Sequence, residues 1–152
     1  MPTTVTASNG TPYHLFQLAV TSYPEIEDSL EFATIDNELT DAYRSGILCG
    51  PAAGTKSWKL TFPTLAGEDV VTLSTTGAKG ETVDREQYIR TLFANNKITG
   101  TPFVFLDTNS NTYHFVDFVD EELSMKRMRV KIYTTGLEMR ERRIAGVTLP
   151  SP

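Results

Sequence analysis

In KSWKLTF, residues 56–62, the apolar side chains Trp58, Leu60 and Phe62 alternate with Ser57, Lys59 and Thr61. Period two puts successive side chains on opposite faces of an extended strand. The pattern recurs along the chain. In YHLFQLAV (13–20), His14, Phe16, Leu18 and Val20 share one parity; in SLEFATI (29–35), Leu30 and Phe32 do, with Glu31 opposite. In MRVKIY (128–133), Met128, Val130 and Ile132 oppose Arg129, Lys131 and Tyr133. Half-buried antiparallel strands carry this alternation. In YTTGLEM (133–139) the apolar parity moves from even, at Ile132, to odd, at Leu137 and Met139. Gly136 marks the expected place of a β-bulge that absorbs the slip.

One segment follows a different period. In VDREQYIRTLFANN (83–96), Tyr88, Ile89, Leu92 and Phe93 form a single helical stripe. Asp84 is the expected N-cap, with Gln87 closing a capping box and Val83 against Tyr88 as a hydrophobic staple. ANNK ends the helix, with an asparagine taking the left-handed cap. A short helix with one stripe must lie on a sheet or plug a barrel end. After it, TPFVFLDTNSNTYHFVDFV (101–119) reads as a hairpin turning at DTNSN. Both faces are apolar: Phe103 and Phe105 oppose Val104 and Leu106, while Tyr113 and Phe115 oppose Val116 and Phe118. The second face therefore needs a cover, from the helix, a second sheet or another subunit.

The chain has 152 residues, 39% of them apolar, enough for one domain with a core. The ends, 1–10 and 144–152, read as extended arms. No apolar run is long enough to span a bilayer. MPTTVTASNG lacks a charged-then-apolar leader profile, so a chain made in, and assembled from, a cytoplasm is expected. The net charge of −5 argues against a nucleic-acid-binding surface. Its distribution is uneven. Residues 1–55 carry seven acids and one base, Arg44, whereas 126–143 carry seven bases, from Lys126 to Arg143, and two acids, Glu138 and Glu141. Such polarity suits head-to-tail packing of identical copies, and marks Arg127, Arg129, Lys131, Arg140, Arg142 and Arg143 as subunit-interface candidates.

HFVDFVDEEL (114–123) gathers a histidine and four carboxylates. In a strand, His114 and Asp117 point to opposite faces, and His114 and Asp120 share a face roughly 20 Å apart. Zinc needs its ligands about 2 Å from one point. The stretch is thus expected to be a strand ending near Val119 and an exposed acidic loop, with no metal. No G-x-S-x-G, P-loop or G-x-G-x-x-G is present, and CGPAAG lacks the Lys-Ser/Thr ending of a phosphate loop. Cys49, the one cysteine, has no motif-placed partner. No catalytic residue and no cofactor are expected.

The order of these segments resembles the distal and minor tail proteins of long-tailed bacteriophages. Asp41, Ala42 and Tyr43 stand where those proteins have an Asp-Gly-Tyr turn, and Trp58, Leu60 and Phe62 match their aromatic-led strand. DREQYIRTLFANNKITG matches the helix that follows; Gly100, Pro102, Phe103 and Phe105 match the next strand. YHFVDFVDEELSMKRMRVKIYTTGLEM matches the return and a final long amphipathic strand. The likeness covers roughly residues 40–141. It implies a mainly β fold with one α-helix, an antiparallel β-sandwich or split barrel of the tail-tube type. It implies a non-enzymatic virion protein assembled in the host cytoplasm as a homo-oligomeric ring, of six copies in most such proteins. The ring joins the tail tube to the baseplate hub or tail tip, near the tape measure protein, and DNA passes through its lumen without specific binding. Carboxylates facing the hole would repel phosphate, which makes Asp120, Glu121 and Glu122 lumen candidates. Tube or terminator subunits are variants of this reading. A different class is a small β-barrel module for carbohydrate or single-stranded nucleic acid, with Tyr43, Tyr113 and Tyr133 as an exposed stacking platform. An enzyme would have to use His14, His114 or Cys49.

Overall fold

The alternating KSWKLTF segment becomes the middle of a long strand on which the rest of the sheet is built. The computed structural model describes residues 4–17, 24–31, 34–38, 44–48, 54–66, 70–73 and 81–152. Along the chain run β1 (Thr4–Thr6), β2 (Pro12–His14), β3 (Glu25–Glu31), β4 (Thr34–Glu38), β5 (Arg44–Leu48), β6 (Thr55–Ala66), β7 (Val70–Leu73) and β8 (Glu81–Asp84). Then come α1 (Arg85–Thr99), β9 (Phe103–Asp107), β10 (Thr112–Phe118), β11 (Met125–Arg129) and β12 (Ile132–Glu141). The fold is mainly β, with a single helix among the described residues, and its sheets are antiparallel, as the alternation and the family likeness imply.

The principal sheet has the order β3-β6-β12-β10-β9. β6 pairs along one edge of β12 from Ile132 to Arg140. The other edge of β12 is shared: β10 takes Met139–Glu141, and β11 takes Ile132–Thr135. Three further antiparallel pairs, β1–β2, β4–β5 and β7–β8, form two-stranded sheets. A parallel bridge from Leu15 to Val104 ties the end of β2 to β9.

The sheet has apolar layers on both sides. On one face, Trp58, Leu60, Phe62 and Leu65 of β6 meet Leu137 and Met139 of β12 and the stripe Tyr88, Ile89, Leu92 and Phe93 of α1. Phe103, Phe105, Val116 and Phe118 complete this core. Each such side chain contributes about 1.5–3 kcal/mol on burial. On the other face, Val104 and Phe115 are covered by Val5, Ala7, Tyr13 and Leu15, with Ile144, Val147 and Leu149 packed alongside. The two-faced hairpin is therefore closed by the chain itself and does not need a neighbouring subunit. The end segments expected as arms meet each other over this second core: Ser8 N donates to Thr148 O, and Thr148 N to Ser8 Oγ, both at 2.9 Å.

Several local expectations change. β2 stops at His14, yet its alternation persists: Tyr13 and Leu15 enter the second core, while His14 and Phe16 turn toward α1. Leu18 and Val20 lie outside the described residues. On β3, Ile26 is the residue packed on the core, whereas Leu30 is 53% exposed; Phe32 lies outside the described residues. Leu30 pairs with Lys56, beyond the last core side chain of β6, so no core side chain among the described residues covers it. MRVKIY is a tight turn between β11 and β12 and not one strand. Lys131 takes φ 60°, Met128 and Val130 are exposed, and Tyr133 faces inward.

The bulge exists, but in the partner strand. Tyr133 pairs with Leu65 and Thr135 with Phe62, so two steps along β12 oppose three along β6. Pro63 sits at the extra residue, where a missing N–H is tolerated, and its carbonyl accepts from Thr134 Oγ1 at 3.1 Å. Parity slips in β6, from Phe62 to Leu65, while Tyr133, Thr135, Leu137 and Met139 all face inward. The helix also differs at both ends. Asp84 is the N-cap without a side-chain cap hydrogen bond, and α1 runs to Thr99, where Gly100 at φ 67° takes the left-handed cap.

Candidate functional site

The acidic stretch is dispersed by structural bonds. β10 ends at Phe118, and Val119 N still donates to Glu138 O at 2.9 Å. His114 packs its ring 5.1 Å from that of Trp58, with Nδ1 3.4 Å from Glu141 Oε1. Asp117 faces elsewhere: it accepts from Asn96 Nδ2 at 2.8 Å and pairs with Arg142 Nε. Asp120 accepts from Glu138 N at 2.8 Å. Glu121 and Glu122 are exposed in the bend before β11. Among the described residues, no three His, Cys, Asp or Glu side chains converge. Cys49 and the CGPAAG loop up to Ala53 lie outside the described residues, as do Asp41, Ala42 and Tyr43. His14 is buried, with Nε2 2.6 Å from the Tyr88 hydroxyl.

The six interface candidates divide into two sets. Lys131 reaches to 3.7 Å from Glu86 Oε2 and 3.9 Å from Asp84 Oδ2. Arg142 binds Asp117 and donates to Gly100 O at 2.7 Å, closing the end of α1; Arg143 donates to Gly54 O at 3.0 Å. These three hold their own chain together. Arg127, Arg129 and Arg140 are exposed, and among the described residues none forms an ion pair.

The tyrosine platform is corrected. Tyr133 is buried, and its hydroxyl donates to Glu86 Oε2 at 2.8 Å. Burial pushes the Glu86 carboxyl up, but the Tyr133 hydrogen bond, Arg90 and Lys131 outweigh it and hold the pKa below its ordinary value. The same hydrogen bond to Glu86 raises the Tyr133 phenol. Tyr113 is half-buried against the second core. Inward parity on β12 takes Tyr133 out of any stacking platform, and the cover over β10 takes part of Tyr113.

What the described surface does present is two contrasting sheet edges. β3, EIEDSLE, carries Glu25, Glu27, Asp28 and Glu31 and is exposed at every position but Ile26. β11, MKRMR, carries Lys126, Arg127 and Arg129, all exposed. Sequence reasoning counted the β3 acids without singling them out. The signal was available: acids at both parities, Glu27 and Asp28, mark a strand with a poorly covered face, as edge strands have. Asn96 was also missed, because an asparagine near a helix end reads as a cap; here it is buried and bonds to β10. The chain matches no protein-family model, and no curated protein matches it.

Proposed function

We propose that this chain is a non-enzymatic structural subunit of a long-tailed phage virion, a ring-forming tail protein of the distal or minor tail class. In this reading copies assemble in the host cytoplasm into a ring, six being the expected number, between the tail tube and the baseplate hub or tail tip. DNA passes through the hole without specific binding, and Asp120, Glu121 and Glu122 face it. The observation that supports the reading is the order of elements. The Trp58-led strand, the helix α1, the β9–β10 hairpin and the long β12 follow one another as in the family the sequence resembles, and build one antiparallel sheet with α1 on one face. The carbohydrate or nucleic-acid module loses one of its three platform tyrosines with the burial of Tyr133.

Electron microscopy of the purified chain, concentrated alone and with a tail-tube protein, tests the reading. Closed rings with a central hole, or rings capping tube ends, are expected. A monomer that neither self-associates nor decorates tubes sinks it.

A further inference from the structure

The two charged edges lie on opposite sides of the principal sheet, with β6 and β12 between them. Among the described residues no strand pairs with the outer edge of either. Unpaired edges are templates for strand addition, and monomeric proteins guard them with charge. Edges of like sign repel each other. Here one edge is acidic and the other basic, so edges of two copies attract. The exposed apolar residues agree. Leu30 at 53%, Met128 at 60% and Val130 at 83% exposure lie on these edges or at their ends, and among the described residues only Ile98 of the large exposed apolar side chains lies elsewhere.

We infer that β3 of one copy binds β11 of the next, with Glu25, Glu27 and Glu31 against Lys126, Arg127 and Arg129, and with Leu30 and Met128 covered in the contact. This rests on the ring reading and names the surfaces that would close it. Three antiparallel steps separate β3 from β11, so the two run in opposite directions. A neighbour rotated about an axis along the strands keeps this opposite direction but not the level, because β3 lies beside Thr55–Thr61 of β6 whereas β11 lies beside the end of β12 that faces Phe62–Ala66. The contact therefore also needs a shift along the strands, through a ring axis inclined to them. The contact is head-to-tail, and such contacts close into rings when the rotation allows.

Two triple variants test it: Glu25→Lys, Glu27→Lys with Glu31→Lys, and Lys126→Glu, Arg127→Glu with Arg129→Glu. All six side chains are exposed, so thermal melts should stay near that of the parent. In sedimentation equilibrium each variant alone should self-associate at least about tenfold more weakly than the parent, and an equimolar mixture of the two should recover assembly. As a second readout, Asp28→Cys with Met128→Cys, in a Cys49→Ser background, should give a ladder of disulfide-linked multimers on oxidation, because centring the three acids on the three bases sets residue 28 opposite residue 128. Within one chain the bond is excluded, because three strand spacings, roughly 14 Å, exceed the reach of a disulfide. If the parent assembles while both triple variants assemble equally and no ladder forms, the edge contact is wrong and the ring reading stands. If the parent stays monomeric and the cysteine pair yields only monomer, both fail.

Discussion

At the level of single residues, the polar groups inside the core are the most informative, because each must be matched. Tyr88 is fully buried in the α1 stripe, and its hydroxyl accepts from Gln17 N at 2.8 Å beside His14. Burial drives its pKa well above the ordinary 10.0. A phenol raised on folding contributes stability that is intact below pH 10 and is lost as pH rises toward the folded value, because the unfolded chain ionises first. Stability should therefore fall above pH 10 by about 1.4 kcal/mol per pH unit for this group. In Tyr88→Phe that component of the alkaline slope should vanish from urea titrations run at pH 9 to 11; an unchanged slope would disprove the assignment. Asn96 offers a second case. Its Oδ1 accepts from Phe118 N at 3.0 Å, beyond the point where β9 pairs with β10, and its Nδ2 serves Thr101 O and Asp117. Asn96→Ala strands a buried strand N–H and should cost about 3 kcal/mol. Asn96→Asp keeps the acceptor but sets a carboxylate against Asp117, so its deficit should be large at pH 7 and shrink as pH falls toward 4. A deficit independent of pH would show that the carboxylates do not meet.

Elements were legible in the sequence wherever a face was buried on one side only. β6 and α1 follow their periods because each presents a single stripe to the same core. The hairpin β9–β10 was legible too, including its need for a second cover, since Phe103, Val104 and Phe105 are apolar at both parities. What filled that cover was not, because Ile144, Val147 and Leu149 come from a short, aperiodic end segment. The β11–β12 turn was misread because Met128 and Val130 keep apolar parity while lying on an exposed edge and a turn. Gly136 was misread for a related reason: a parity slip shows in both strands of a bulged pair, and the sequence does not say which strand holds the extra residue. This leads to contrasting glycine variants. A Cβ at Gly136 would sit 3.7 Å from Leu60 O, an ordinary contact, at a position without positive φ. Gly136→Ala should stabilise the strand by about 0.5–1 kcal/mol. Gly100→Ala meets no neighbour but imposes a side chain on φ 67° and should cost about 1–2 kcal/mol. Chemical denaturation of the pair gives opposite signs if the bulge lies in β6; destabilisation by both would return it to Gly136.

For the whole molecule, the decisive arrangement is a sheet covered on its helix face, covered on its other face over β9 and β10, and bordered by two edges that no strand pairs among the described residues. The helix side is held by a large contiguous core, whereas the second side depends on two chain ends that touch each other. That asymmetry sets an order of stability. Local opening free energies scale with buried apolar area and protected hydrogen bonds, so the second cover should open before the helix side does. Removing residues 144–152 deletes the contacts of Ile144, Val147 and Leu149 and both Ser8–Thr148 bonds. The truncated chain should lose about 2–4 kcal/mol and bind a hydrophobic dye through Val104 and Phe115, while keeping its helix signal. Amides of residues 5–7 in the intact chain should exchange more slowly than in the truncated one, and those of residues 88–93 should be unaffected. Equal exchange at residues 5–7 would mean that the ends do not latch. The experiment also bears on assembly: a latch that is weak relative to the core is the segment from which an arm can be released to a neighbour without unfolding the sheet that carries the two charged edges.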